Sequence, residues 1–170
     1  RRFEGGRLVR GEDDVLNELD ENAIEAAVQL KEAEEDAGRE AEVVALTMGP
    51  EDAEDALMRA LQMGADRAYI VSDEFLEGSD VITTASVLSV AIAKIADECG
   101  PVDLVITGMA SLDAMTSMLP GALAAKAHMP LLGLARSMSV EDGTVTIERS
   151  VDGFTETLRA ALPAVVSVTD

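Results

Sequence analysis

Aromatic residues are almost absent: the 170-residue chain has three phenylalanines, one tyrosine and no tryptophan. Its core must therefore be built from Ala, Val, Leu, Ile and Met. Those residues are plentiful enough, at 48% apolar content, for one domain with a single sizeable core. One cysteine, Cys99, excludes an internal disulfide, and near a helix end it reads as a small buried or half-buried apolar residue. One histidine, His128, puts histidine-pair metal sites out of reach; its place before Pro130 suits a helix C-terminus. Lysine is nearly as scarce. Thirteen Lys and Arg face 33 acidic residues, for a formal net charge of −20. That balance argues against nucleic acid and against an anionic membrane surface. It leaves room for one nucleotide held by backbone N–H groups. The acidity reads either as solvation of the surface or as a docking face for a basic partner. No uncharged apolar run reaches 18 residues, so no membrane span is expected. RRFEGGRLVRGEDD at residues 1–14 has no apolar signal-peptide core. With the lone cysteine, this points to the cytoplasm.

What is present is an alternation of strand and helix patterns. Residues 1–14 are charged and aperiodic and read as a loop or frayed terminus. Ala23, Ile24, Ala27 and Val28 then give a helical stripe to about Ala37, with Asp20 as its N-cap and Gly38 as its C′ residue. Residues 42–47 (EVVALT) read as a strand. Gly49-Pro50 turns the chain into a helix carrying Ala53, Ala56, Leu57, Ala60 and Leu61, closed by Gly64. Residues 67–72 (RAYIVS) are the next strand and 73–78 a loop. Ser79 is placed as the cap of a long helix over residues 80–98, ended by Gly100-Pro101.

Residues 102–121 (VDLVITGMASLDAMTSMLPG) organise the rest. A β-branched apolar run to Thr107 reads as a buried parallel strand. A loop of small and polar residues follows over 108–117. A helical pattern then starts at Leu119 and runs to about Ala127. Strand, small-residue loop and helix N-terminus form the usual anion or nucleotide site of an open α/β sheet. The same pattern also fits a plain βα connection. After Pro130, residues 131–140, 144–150, 155–161 and 164–168 look extended, with turn signals at Glu141-Asp142-Gly143 and Val151-Asp152-Gly153. The expected class is α/β: an open parallel sheet with helices on both faces, plus a short antiparallel hairpin section over 131–168. No linker interrupts residues 1–170, so one domain is expected.

Four collinear segments resemble the beta subunit of electron-transfer flavoproteins. NELDENAIEAAVQLKE at residues 17–32 looks like that family's Asn-Pro-Phe-Asp helix entry. ALTMGPEDAEDALMRALQMGADRAYIV at 45–71 matches best. DLVITGMASLD at 103–113 is similar to its strand and nucleotide loop. VEDGTVTIERSVDGFTETLRAALPAVVSV at 140–168 looks like its hairpin and following strand. The resemblance implies a Rossmann-like, adenine nucleotide alpha hydrolase-like fold. It also implies a heterodimer with an alpha subunit, in which a shared FAD carries electrons from flavin dehydrogenases, such as acyl-CoA dehydrogenase, to a membrane or soluble acceptor. The beta chain would hold AMP, or a second FAD in its place, and would be an electron carrier subunit rather than an enzyme.

Carried onto matching positions, the resemblance implies a cofactor-binding set of Asn17, Asp20, Met48, Gly49, Gly108, Met109, Asp113, Thr116, Ser117 and Met118. Six of them have a plainer reading. Asn17 and Asp20 suit a helix cap, Met48 and Gly49 a βα turn, and Thr116 and Ser117 the cap of the next helix. Arg149 either faces the flavin side of a subunit interface or pairs with a carboxylate across a hairpin. Three departures from the family stand out. Its first strand has no counterpart ahead of residues 1–14, and its C-terminal arm has none after Asp170. In the nucleotide loop, the family's Asp-Gly-Asp-Thr-Gly-Gln becomes Asp113-Ala114-Met115-Thr116-Ser117-Met118, so that Met115 and Met118 replace two hydrogen-bonding side chains. Each lost bond to a charged phosphate is worth about 1.5–3 kcal/mol, so AMP binding weakened by about 10² or more is expected. Two other functions compete. A universal-stress-type nucleotide module should carry a glycine-rich phosphate pattern after its last strand, which is not found. An interaction subunit that keeps the fold without nucleotide would explain the loop methionines.

Overall fold

The structure is a computed structural model that describes residues 3–9, 16–112 and 116–169. It opens on a small antiparallel hairpin, β1 (Phe3–Glu4) and β2 (Arg7–Leu8). This corrects the loop expected there. Gly5 and Gly6 take positive φ angles of 57° and 81°, as a two-residue hairpin turn requires. Residues 1, 2 and 10–14 of that expected loop lie outside the described residues.

Helix α1 runs Glu18–Asp36 and is capped by Asn17, whose Oδ1 accepts the Leu19 N–H at 3.3 Å. Asp20, expected as the cap, sits inside the first turn and is used elsewhere. The helix ends as expected at Gly38. The Gly38 N–H reaches Glu35 O and the Arg39 N–H reaches Glu34 O, both at 2.9 Å, in the paired pattern of a left-handed glycine stop. Strands β3 (Val44–Met48) and β4 (Arg67–Val71) pair in parallel through α2 (Glu54–Met63), which packs on both. Helix α3 (Val81–Cys99) is capped by Asp80, not Ser79. The Thr83 N–H lies 2.7 Å from Asp80 Oδ1 and holds that carboxyl below its ordinary range, while the Ser79 hydroxyl donates to Leu76 O.

Strand β5 (Leu104–Gly108) and helix α4 (Leu119–Ala127) follow, and His128 ends α4 in the left-handed region at φ 55°. The largest correction lies beyond it. Of the extended segments expected to be antiparallel, β6 (Leu131–Ala135) and β10 (Ala164–Val168) join β5 in a parallel sheet of order β5-β10-β6. The continuous run AVVSV, with no polar alternation, is what a strand buried on both faces needs. Only β7 (Ser137–Glu141), β8 (Thr144–Val151) and β9 (Phe154–Ala161) form the antiparallel section. Asp142-Gly143 and Asp152-Gly153 make its turns, with positive φ at all four residues.

The α/β, Rossmann-like class holds. Helix α1 packs on β5, β10 and β7; α4 packs on α3, β10 and β6. Ala23, Leu132, Ala135, Val145, Ile147, Ala164, Val166 and Val168 form the main core. Among the described residues, the β3-β4 pair is not hydrogen-bonded to the β5-β10-β6 sheet, and no helix is long and apolar enough to cross a membrane.

Candidate functional site

The C-terminal end of β5 is where several of the expected site residues meet. A backbone N–H ending a strand needs an acceptor, and the one at Gly108 finds Asp20 Oδ1 at 2.9 Å, 88 positions earlier in the chain. Asn17 does three things at once. Its Oδ1 caps α1, while its Nδ2 donates to Asp20 Oδ2 and to Ala110 O, each at 2.9 Å. The first turn of α1 is thereby stitched to the strand end and to the loop that leaves it. The contact is close enough to demand glycine: a Cβ on Gly108 would lie 2.5 Å from Leu19 O and 2.7 Å from Asp20 Oδ1. Ala110 was missing from the expected set, because a backbone carbonyl leaves no mark in the sequence.

The loop then folds on itself. Ser111 and Thr116 bridge through their backbones, with the Ser111 N–H 2.9 Å from Thr116 O and the Thr116 N–H 3.3 Å from Ser111 O. The Thr116 hydroxyl accepts the Met118 N–H at 3.2 Å, a local turn bond of the kind threonine makes ahead of a helix. Met109 is half-buried, Ser117 is exposed, and Met118 is 59% exposed. Asp113 lies outside the described residues, as does Met115.

The two helix N-termini beside this loop differ in charge. The first turn of α1 carries Glu18, Asp20 and Glu21, whereas the first turn of α4 carries no acid. An anion is thus favoured at α4 and opposed at α1. Pro120, buried in α4's first turn, has no N–H to offer. Among the described residues, the first helical bond runs from the Ala122 N–H to Met118 O at 3.0 Å, and the N–H groups of Leu119 and Gly121 belong to the first turn, where backbone donors have no acceptor within the helix itself.

Met48 and Gly49 are not drawn into this cluster by any hydrogen bond among the described residues. They end β3, and the Gly49 N–H is bound to Val71 O at 3.1 Å. A Cβ on Gly49 would stand 3.1 Å from Ala53 Cβ, so this glycine serves a tight βα turn. Arg149 stands opposite Glu156 in the β8-β9 ladder and pairs with it at 2.7 Å, as a cross-strand ion pair. Cys99 is half-buried but not in apolar company: Arg67 Nη1 is 3.3 Å and the Tyr69 hydroxyl 3.4 Å from its sulfur. Among the described residues no cluster of three His, Cys, Asp or Glu suits a metal.

The electron transfer flavoprotein domain model matches residues 6–170. The chain is 42% identical over 158 residues to an electron transfer flavoprotein subunit beta of Mycobacterium leprae, covering 93% of this chain and 58% of that protein. It is 34% identical over 160 residues to the corresponding subunit of Megasphaera elsdenii, covering 92% of this chain and 57% of that one. A FixA protein of Sinorhizobium fredii is 33% identical over 157 residues, covering 91% and 53%. The chain thus spans between half and two thirds of the curated relatives it matches.

Proposed function

This chain belongs to the electron transfer flavoprotein family, and on that footing we propose that it is the nucleotide-holding part of a beta subunit. With an alpha subunit it forms a heterodimer carrying electrons through FAD, from flavin dehydrogenases such as acyl-CoA dehydrogenase to a membrane or soluble acceptor, in the cytoplasm. FAD supplies the redox chemistry when bound; the beta chain positions and does not react. Its own ligand is AMP, with a second FAD as the alternative occupant.

The observation that carries this reading is the stitched end of β5, where Asn17 and Asp20 come from one element and Gly108 and Ala110 from another. The donor set fits a nucleoside monophosphate in one orientation. The phosphate belongs at the acid-free start of α4, near the Leu119 and Gly121 N–H groups and the Ser117 hydroxyl. The nucleoside belongs on the α1 side, where acceptors prevail. Met118 and Pro120 reduce the donors at the phosphate end, in keeping with AMP held more weakly than in the family at large.

Co-expression with an alpha subunit tests the proposal. A yellow complex with flavin and AMP in stoichiometric amounts is expected, and a colourless chain when it is purified alone with excess FAD. A stoichiometric yellow protein without the alpha subunit would contradict the shared-flavin reading. The nucleotide-free reading draws on Met118, whose exposed thioether replaces a polar side chain of the family loop. A yellow complex with no AMP, unresponsive to added AMP, would favour it.

A further inference from the structure

We propose that Ser167 and Arg149 lock a single peptide unit, the one between Gly133 and Leu134. The lock is a conformational device: it lets one stretch of chain leave the parallel sheet and open the antiparallel one in a fixed register. It stands independently of the nucleotide reading.

Strand β6 carries one residue more than its partner. Val166 of β10 faces Leu132 and Val168 faces Ala135, so Gly133 and Leu134 together stand opposite Ser167. That is a β-bulge, which takes a residue out of the ladder. Leu134 sits in the left-handed region at φ 64°, where a residue with a Cβ is strained. Backbone groups lost from a buried ladder need other partners, and side chains supply both. The Leu134 N–H donates to Ser167 Oγ at 2.9 Å. Gly133 O, the other end of the same peptide unit, accepts from Arg149 Nη1 at 3.5 Å. Ser167 belongs to β10 and Arg149 to β8, so the unit is gripped from both sheets. Ser167 is 4% exposed, the one buried polar residue among those described. A hydroxyl inside AVVSV gains its purpose from this bond.

The phase of the chain shows what the lock secures. Counted in twos from buried Leu132, Leu134 and then Arg136 would point toward the core. The extra residue shifts the phase by one. Ala135 therefore joins Leu132 in the main core, and Arg136 is exposed. Arg136 alone separates β6 from β7, and its N–H is already bonded to Glu148 O of β8 at 2.8 Å. The chain changes sheets within two residues of Leu134, where the bend of a bulged strand is useful. Beyond it, Met138 and Val140 pack on the core while Ser137, Ser139 and Glu141 are exposed. A slip by one residue at Leu134 would carry Ala135 out of the core and turn the Arg136 guanidinium into it.

The test uses the full chain with Ser167→Ala, Ser167→Thr, Arg149→Met and Glu156→Gln. Nuclear magnetic resonance reads the Leu134 amide exchange rate against that of Leu132, and the coupling between the Leu134 amide and α protons, which reports φ. Ser167→Ala removes one oxygen and little else. Leu134 exchange is expected to rise about tenfold more than Leu132 exchange, and urea unfolding to show the folding constant about tenfold lower, as for an orphaned buried N–H. Arg149→Met should speed Leu134 exchange about threefold. Glu156→Gln, which removes the ion pair of Arg149 but not its reach to Gly133 O, should stay within about twofold of the unmodified chain. A Ser167→Ala chain whose Leu134 stays protected and left-handed, with an unchanged folding constant, would show that strand pairing alone sets the bulge and would overturn the lock. Equal acceleration in Arg149→Met and Glu156→Gln would overturn the part given to Arg149. If Ser167→Ala does not fold, Ser167→Thr decides: a folded chain with Leu134 protected supports the hydroxyl's role, and failure of both overturns it in favour of the site's shape.

Discussion

Two parallel strands with similar sequences lead different lives in this molecule. Strand β10 reads AVVSV and is buried at all five positions; strand β3 reads VALTM and is half-buried at all five. Composition does not separate them; neighbours do. Strand β10 lies between β5 and β6 with α1 and α4 packed on it, whereas β3 pairs only with β4 among the described residues and has α2 beside it. The main core follows the first arrangement, since most of its members come from β6, β8 and β10. A strand's contribution to stability is thus set by how many of its sides are covered.

Matched truncations put the comparison at risk most directly. Val166, fully buried on β10, and half-buried Val44 on β3 lose the same two methyl groups when changed to alanine. Val166→Ala should cost about 2–3 kcal/mol, from transfer plus the cavity left behind. Val44→Ala should cost about 1 kcal/mol, because its surroundings are partly solvent. Urea unfolding monitored by circular dichroism measures both, and equal costs would erase the distinction.

Gly108→Ala probes a place where the first half of the chain is bound to the backbone of the second. The added methyl would meet Leu19 O and Asp20 Oδ1 well inside contact distance, so about 1–3 kcal/mol of overpacking is expected. Part of the strain can be relieved by breaking the Asp20 bond. The diagnostic is therefore a loss of Gly108 protection out of proportion to the fall in global stability.

Both parallel sheets also leave a strand edge exposed. The edge of β3 away from β4 and that of β5 away from β10 have no strand partner among the described residues, and unpaired edges invite association. The net charge of −20 opposes it. Salt should decide between them, because the Debye length falls from about 10 Å at 0.1 M to about 3 Å at 1 M. Sedimentation velocity should show a monomer at low salt and reversible association at high salt. A monomer at every salt concentration would mean that the edges are not available.

Most helices and strands were legible in the sequence because periodicity and punctuation agree locally: Gly38, Gly64 and Pro101 stop elements where glycine and proline must. The partner of each strand was not. LPAVVSV looks equally extended whether it closes a hairpin or enters the middle of a parallel sheet, and only the packing of α1 and α4 decides. Caps were misplaced by small steps, Asp20 for Asn17 and Ser79 for Asp80, because adjacent polar residues compete for the same N–H groups. At the candidate site, Asn17, Asp20 and Gly108 were expected from the sequence as residue types, but not their bonds to one another, of which the Asp20–Gly108 bond spans 88 positions. Met48 and Gly49 belong to the other sheet.

The smallest expected effect concerns the tie between α1 and the β3-β4 pair on the acid side. Asp66, just ahead of β4, accepts from Lys31 of α1 at 2.5 Å and from the Val43 N–H at 2.8 Å. The Lys31 hydrogen bond, and then the Val43 one, hold the Asp66 carboxyl below its ordinary value. A carboxyl lowered in the folded state favours folding above its unfolded value, and the contribution disappears as pH falls through the lowered folded value. Stability should therefore decline below about pH 4, in part through this residue. Glu34, lowered by its hydrogen bond from Arg39, and Asp80 titrate in the same direction, so the decline is shared. Asp66→Asn keeps an acceptor for Val43 but does not titrate. Its thermal midpoint should lie slightly below that of the unmodified chain at neutral pH and fall less steeply between pH 5 and pH 3. Because the tie joins α1 to the β3-β4 pair and not to β10, hydrogen exchange over the same range should show β3 and β4 losing protection before β10 does. Parallel loss in all three strands would place the acid-sensitive contacts in the common core and not at this junction.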